Sequence, residues 1–230
     1  MAGTPITIVF PLFPGLTQLD FTGPFQLLAN TPGLRPIAAS IDGSPIAAEG
    51  FQLSGLAVLQ DVSFADVICV PGGGGVTDAM QNPAYMAEIA RLAASARYIT
   101  AVCTGSLILA AAGLLEGKRA TSHWAWRDTL SLFGATPVQD RVVRDGNILT
   151  GGGVTAGIDF ALTLIAELTD PATAQAVQLG LEYAPAPPYD AGSPETAPPD
   201  ILARVQRDSL RAMPDRAATI ASIAAKRAKA

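Results

Sequence analysis

The sequence predicts a single α/β domain, a three-layer sandwich in which a mostly parallel central sheet is covered by helices on both faces. Three observations carry that prediction. Short apolar, β-rich runs without polar alternation, such as residues 6–13 and 98–102, read as strands buried on both sides. Helical patterns alternate with these runs at the spacing of βαβ units. Glycine-rich turns follow directly where two of the runs end, at 72–75 and at 105.

Taken in order, "ITIVFPLF" (6–13) is the first strand. "LDFTGPFQLLAN" (19–30) follows as a helix, with Phe21, Phe25 and Leu28 at helical spacing and Pro24 suiting a first turn. "LRPIAAS" (34–40) and "FADVICVPGGGG" (64–75) supply two more strands, the second halting at Pro71. Asn82 as N-cap and Pro83 at the first helical position open a helix that runs to residue 95. "YITAV" (98–102) is a short strand, and 104–115 is a helix apolar on nearly every side and therefore buried. "VVRDGNILTGGG" (142–153) reads as a hairpin around Asp145-Gly146, with a helix over 155–169 after it. The Pro-rich interval 183–200 leads to helices at 201–212 and 215–229, which are too small to own a core. The expected organisation is one domain over 1–199, including a Pro-rich excursion at 183–199, with 200–230 as a helical extension packed on it.

Composition narrows the function. At 230 residues the chain can bury a substantial core without disulfides or structural metals. Its two cysteines, Cys69 and Cys103, sit in no CxxC or Cys/His cluster, so a reducing, cytoplasmic setting is expected and no metal. "MAGTPITIVFPLFPG" lacks the basic start of a signal peptide and carries prolines where its helix would run. No stretch of about 18 consecutive apolar residues suggests a membrane span. The charge is 15 basic against 20 acidic residues, and residues 200–230 hold 7 Lys/Arg with 3 Asp. An acidic body disfavours nucleic acid as a partner, and the basic tail reads as a solvated helix face.

Ligand crevices in doubly wound folds lie beyond the carboxyl ends of the parallel strands. Asp20, the "PGGGG" turn and Cys103 all fall there. Cys103, Thr104 and Gly105, between a strand and a helix, have the grammar of a nucleophile elbow, in which Gly105 permits close backbone approach and the helix N-terminus favours a thiolate. The competing reading is a buried structural thiol, which is also the reading for Cys69. Asp20 is flanked by apolar residues, so desolvation and a neighbouring thiolate would raise its pKa; alternatively it caps a helix over 22–30. His123 is the single histidine, so a Cys–His dyad must use it or not exist. The run Gly72–Gly75 matches neither GxGxxG nor GxxxxGK[ST], and its N–H groups, with Gly72, Gly73 and Gly74 foremost, suit half of an anion hole better than a phosphate cradle. The "GGG" at 151–153 lets main chain come close to the elbow.

Five stretches, "LFPGLTQLDFTGPF", "DVICVPGGGGV", "AVCTGSLILAAAGLLEGKRATSHWAW", "RVVRDGNILTGGGVTAGIDFALTLIAEL" and "QLGLEYAPAPPYDAGSPETAPP", together resemble the isonitrile-hydrating group of the PfpI-type branch of the class I glutamine amidotransferase-like superfamily. The resemblance runs from about residue 5 to the C-terminal helices. It implies a flavodoxin-like sandwich, Cys103 as nucleophile and Asp20 where protease and deglycase relatives carry Glu. Thr104 stands where many relatives have histidine, a departure that argues against a peptidase or amidotransferase. The group is cofactor-free and homodimeric and turns a small apolar isonitrile into an N-substituted formamide. By this reading Cys103 adds to the isonitrile carbon to give a thioimidate, Asp20 moves the protons, Thr104 orients water or the carboxylate, and amides near Gly73 and Thr104 hold developing charge. The pocket should be apolar, with residues in or near helix 155–169 lining it. Related proteins fuse this domain to a DNA-binding module, but residues 200–230 are too short for one. Two rivals stay open: glyoxalase or deglycase chemistry on small dicarbonyls, and a redox sensor in which Cys103 is oxidised.

Overall fold

The computed structural model describes residues 4–229; the outermost ends of the two expected segments, 1–3 and 230, lie outside the described residues. The chain runs β1 (Ile6–Pro11), α1 (Gln18–Ala29), β2 (Leu34–Ser40), β3 (Ile46–Ala48), β4 (Phe51–Leu53), β5 (Ala57–Val58), β6 (Val67–Val70), α2 (Val76–Gln81), α3 (Pro83–Ser95), β7 (Tyr98–Val102) and α4 (Gly105–Ala111). It continues through β8 (Arg119–Ala120), a 3₁₀ segment (Arg127–Phe133), β9 (Thr136–Pro137), β10 (Val142–Asp145), β11 (Ile148–Gly151), α5 (Ala156–Leu168), α6 (Pro171–Gly180), α7 (Pro199–Ala212) and α8 (Arg216–Arg227).

Seven strands form the central sheet in the order β10-β11-β7-β6-β1-β2-β5, and every pairing is parallel except the β10–β11 hairpin. The central strands β1, β6 and β7 are buried along nearly their whole length because helices cover both faces, and Thr100 in β7 donates its hydroxyl to the Ile68 carbonyl. Helices α1, α5 and α6 pack together, and α2, α3, α4 and α8 form a second group. Asn82 caps α3 as expected, its side chain accepting from the Ala84 and Tyr85 amides with Pro83 in the first turn. The Tyr85 hydroxyl then reaches across to the Pro11 carbonyl at 2.8 Å and pins the end of β1.

Two local expectations need correction. Helix α1 begins at Gln18, so Asp20 is its third residue and not a cap, and Pro24 lies mid-helix. The loop at 12–17 sets the early start: Thr17 donates its N–H to the Gly72 carbonyl at 2.9 Å, which ties this loop to the glycine turn and orients the first helical turn toward it. The tail is not uniformly solvated either. Helix α7 buries no residue, but α8 buries Arg216, Ile220 and Ala224, a stripe at fourfold spacing. Among the described residues no helix is long and apolar enough to cross a membrane.

Candidate active site

Strand β7 ends at Val102, and Cys103 turns the chain in the left-handed region at φ 57° before α4 starts at Gly105. That conformation is unfavourable for a residue with a Cβ and persists only where neighbours over-determine it. Here they do. The Cys103 N–H is shared between the Gly151 and Gly152 carbonyls at 3.0 Å each, and its own carbonyl accepts from the Ser106 and Ser122 hydroxyls, also at 3.0 Å. Gly105 passes so close to β6 that a Cβ would lie 2.2 Å from the Val70 carbonyl oxygen, so only glycine fits. The elbow expected from the sequence is present, and the glycines at 151 and 152 serve it through their carbonyls.

Asp20 is wholly buried. Its Oδ2 accepts the Gly72 N–H at 3.0 Å, and its Oδ1 has no hydrogen-bond partner. Burial raises its pKa to about 7; the neighbouring Cys103 thiol and the Gly72 amide bond pull the other way, and the Glu49 charge adds a small upward push. Burial likewise pushes the Cys103 thiol up to about 12, helped by the Asp20 charge, although the Val154 and Thr104 amides draw it back. The expected low-pKa thiolate is therefore not the resting form. The Thr104 amide at the mouth of the seven-residue α4 and the Val154 amide ahead of α5 are outweighed by burial and an adjacent carboxylate. Cys69, fully buried inside β6, is a structural thiol as expected.

The glycine turn is committed elsewhere than expected. The Gly72 amide is engaged by Asp20, and the Gly73 amide donates to Thr104 Oγ1 at 3.1 Å. The Thr104 hydroxyl in turn leans on the Gly73 carbonyl at 3.5 Å. Thr104 thus locks the turn, its hydroxyl engaged with both polar groups of Gly73. Gly72 packs under Asp20 and Thr104, where a Cβ would approach the Thr104 nitrogen to 2.5 Å and Asp20 Oδ2 to 2.9 Å. Gly73 and Gly74 line the cavity with Cys103.

That cavity has a volume of about 460 Å³, and its wall includes Trp126, Val154, Val205 and Met213, so it is largely apolar as expected. Val154 enters just ahead of α5, while α5 itself contributes no lining residue. His123 is in the wall, stacked at 5.4 Å on Trp124, with Nδ1 accepting the Ala125 amide at 3.3 Å. Burial and then the Arg216 charge lower its pKa, which keeps it neutral. Among the described residues no hydrogen bond links it to Cys103.

Sequence reasoning missed Arg216. From the first position of α8 it lines the cavity, only 5 % exposed, donating to the Gly73 carbonyl at 3.1 Å and lying 4.8 Å above the Trp126 ring. The available signal was its place in the α8 stripe with Ile220 and Ala224, which marks it as inward-facing despite its charge.

Comparison with known proteins agrees with this geometry. Residues 6–167 match the pattern of the DJ-1/PfpI family. An isonitrile hydratase of Pseudomonas putida is 55 % identical over 86 % of this chain and 87 % of its own length. The HTH-type transcriptional regulator CdhR of Pseudomonas aeruginosa is 30 % identical over 70 % of this chain, which covers half of that protein. Among solved structures, a ThiJ/PfpI family protein from Pseudomonas syringae superposes with a TM-score of 0.90 at 38 % identity, covering 96 % of this chain and 90 % of that one.

Proposed function

The chain belongs to the DJ-1/PfpI family, and from that premise we propose that it is an isonitrile hydratase, adding water to R–NC to give R–NH–CHO through a thioimidate on Cys103. The observation that carries the reading is the buried Asp20 carboxyl beside the Cys103 thiol, with Oδ2 held by Gly72 and Oδ1 unpartnered.

Above the Asp20 pKa the pair holds one proton, on sulfur. As the terminal isonitrile carbon meets Sγ, Asp20 takes that proton and the S–C bond forms. The carbon lone pair then recovers the proton from Asp20, leaving R–N=CH–S. In the second half Asp20 is the base for a water that attacks the same carbon. One water proton ends on nitrogen and the other on sulfur as the C–S bond breaks, which releases the formamide and restores the thiol. The Val154 and Thr104 amides, which already favour charge on Sγ, stabilise the thiolate as it departs. The apolar cavity suits a substrate whose polar end is the isonitrile alone. Homodimerisation and a cytoplasmic setting belong to the same reading.

Formamide production from tert-butyl isonitrile, followed by mass spectrometry, tests it. The wild type should form the product and Cys103→Ala should not. Full activity in the cysteine variant would remove the covalent step, and consumption of methylglyoxal with no isonitrile turnover would favour dicarbonyl chemistry.

A further inference from the structure

Among the described residues lining the Cys103 cavity, Arg216 is the only lysine or arginine. Its surroundings are neutral: the Gly73 carbonyl takes Nη2, the Met213 sulfur takes Nη1 at 2.7 Å, the Trp126 face lies against the guanidinium, and Nε has no partner at all. Among the described residues no carboxylate forms an ion pair with it. A buried cation without a counter-ion is costly, and the cost falls only when negative charge faces it within the same poorly solvated space. The cavity supplies that charge intermittently, because Asp20 and Cys103 together carry one negative charge whenever they hold a single proton.

We propose that Arg216 is a positioning residue that acts as the counter-charge of the Asp20–Cys103 pair, delivered to the cavity by the C-terminal helix and held there by Gly73 and Trp126. The proposal rests on the reading of Cys103 as the nucleophile. The link is short, since the Gly73 carbonyl that receives Arg216 also receives Thr104, the residue next to Cys103. Other ionisable groups face the same region. Glu49 approaches Asp20 from the β3–β4 turn, and His123 stands neutral in the wall. Cys69 lies behind in β6, and Asp208 on α7 is exposed and near Arg211. None of these offers a second cation.

The test is the pH dependence of Cys103 alkylation by iodoacetamide in the full chain, read by peptide mapping that separates Cys103 from Cys69. It needs no isonitrile turnover, so its failure is distinct from failure of the hydratase reading. With Arg216→Met the profile should move up by about one pH unit, slowing alkylation roughly tenfold at a given pH below the midpoint. With Arg216→Lys, which keeps the charge but loses the planar fork, the shift should stay under about half a unit even if thermal stability drops. An unchanged profile in Arg216→Met overturns the proposal. Should that variant not fold, Arg216→Lys decides alone: a profile near wild type upholds the charge role, and an upward shift of about one unit or more overturns it.

Discussion

The Gly72 amide donates to Oδ2 of Asp20 at 3.0 Å across 52 residues of sequence, and this bond leaves Oδ1 of the same carboxyl buried without a partner. One oxygen fixes the carboxyl and the other stays available for a proton, which is the division of labour that general acid–base transfer requires.

Replacing Asp20 with Asn should keep the Gly72 bond through the amide oxygen while removing the proton carrier. Formamide production is expected to fall by about 10²- to 10⁴-fold, measured as kcat/KM on an alkyl isonitrile. A loss of less than tenfold would mean that another group moves the protons.

The same variant should be the more stable protein at alkaline pH. Folding raises the Asp20 pKa from its ordinary 3.8 to about 7, so the native state binds this proton more tightly than the unfolded chain. The resulting stabilisation is complete below pH 3.8 and is lost as pH rises through about 7. Urea unfolding at pH 5 and pH 8 should show wild type weakening relative to Asp20→Asn by about 3 kcal/mol, the share of the full titration that falls between these two pH values. Parallel pH dependences of the two proteins would refute the assignment.

The pH profile of kcat/KM reports the free enzyme, whose competent form has Asp20 ionised and Cys103 protonated. It should rise with pH through about 7 and show no descending limb until near 12, the two limits set by this pair. An optimum on the acid side of neutrality would instead require a protonated Asp20 at the start.

Thr104→Val separates two roles for this hydroxyl. It leaves the Gly73 amide unsatisfied in a buried place, so a stability loss of about 1–3 kcal/mol is expected in chemical denaturation. Because the hydroxyl is committed to Gly73, kcat should drop by less than about tenfold, whereas a water-orienting role predicts a loss like that of a catalytic acid or base.

Much of this site was legible because its elements are local. Strand, Cys103 and Gly105 share one short stretch, and Asn82-Pro83 announces α3 within two residues. Asp170-Pro171 carries the same signature, with Asp170 capping Thr173, and opens α6, which the sequence reading leaves unassigned. Elements of two or three residues such as β3, β4 and β8 are too short for any periodicity to show. That Asp20 lies inside α1 and does not cap it was hidden because the Thr17–Gly72 bond that orients the first turn joins distant segments. Arg216 was hidden for the same reason at greater range, since 143 residues separate it from the carbonyl it holds. A charged residue in a basic tail reads as solvated until its helix is seen to dock.

The peptide units at Gly72 and Gly73 are gripped from three separate parts of the chain: Asp20 holds one amide, Thr104 the other, and Arg216 the carbonyl between this turn and the tail. These two amide protons are therefore native reporters of assembly. In hydrogen–deuterium exchange they should open only when the first helix, the elbow or the C-terminal helix lets go. Their protection can be followed in the absence of any substrate, and it tracks whether the three distant pieces of the site are closed at once.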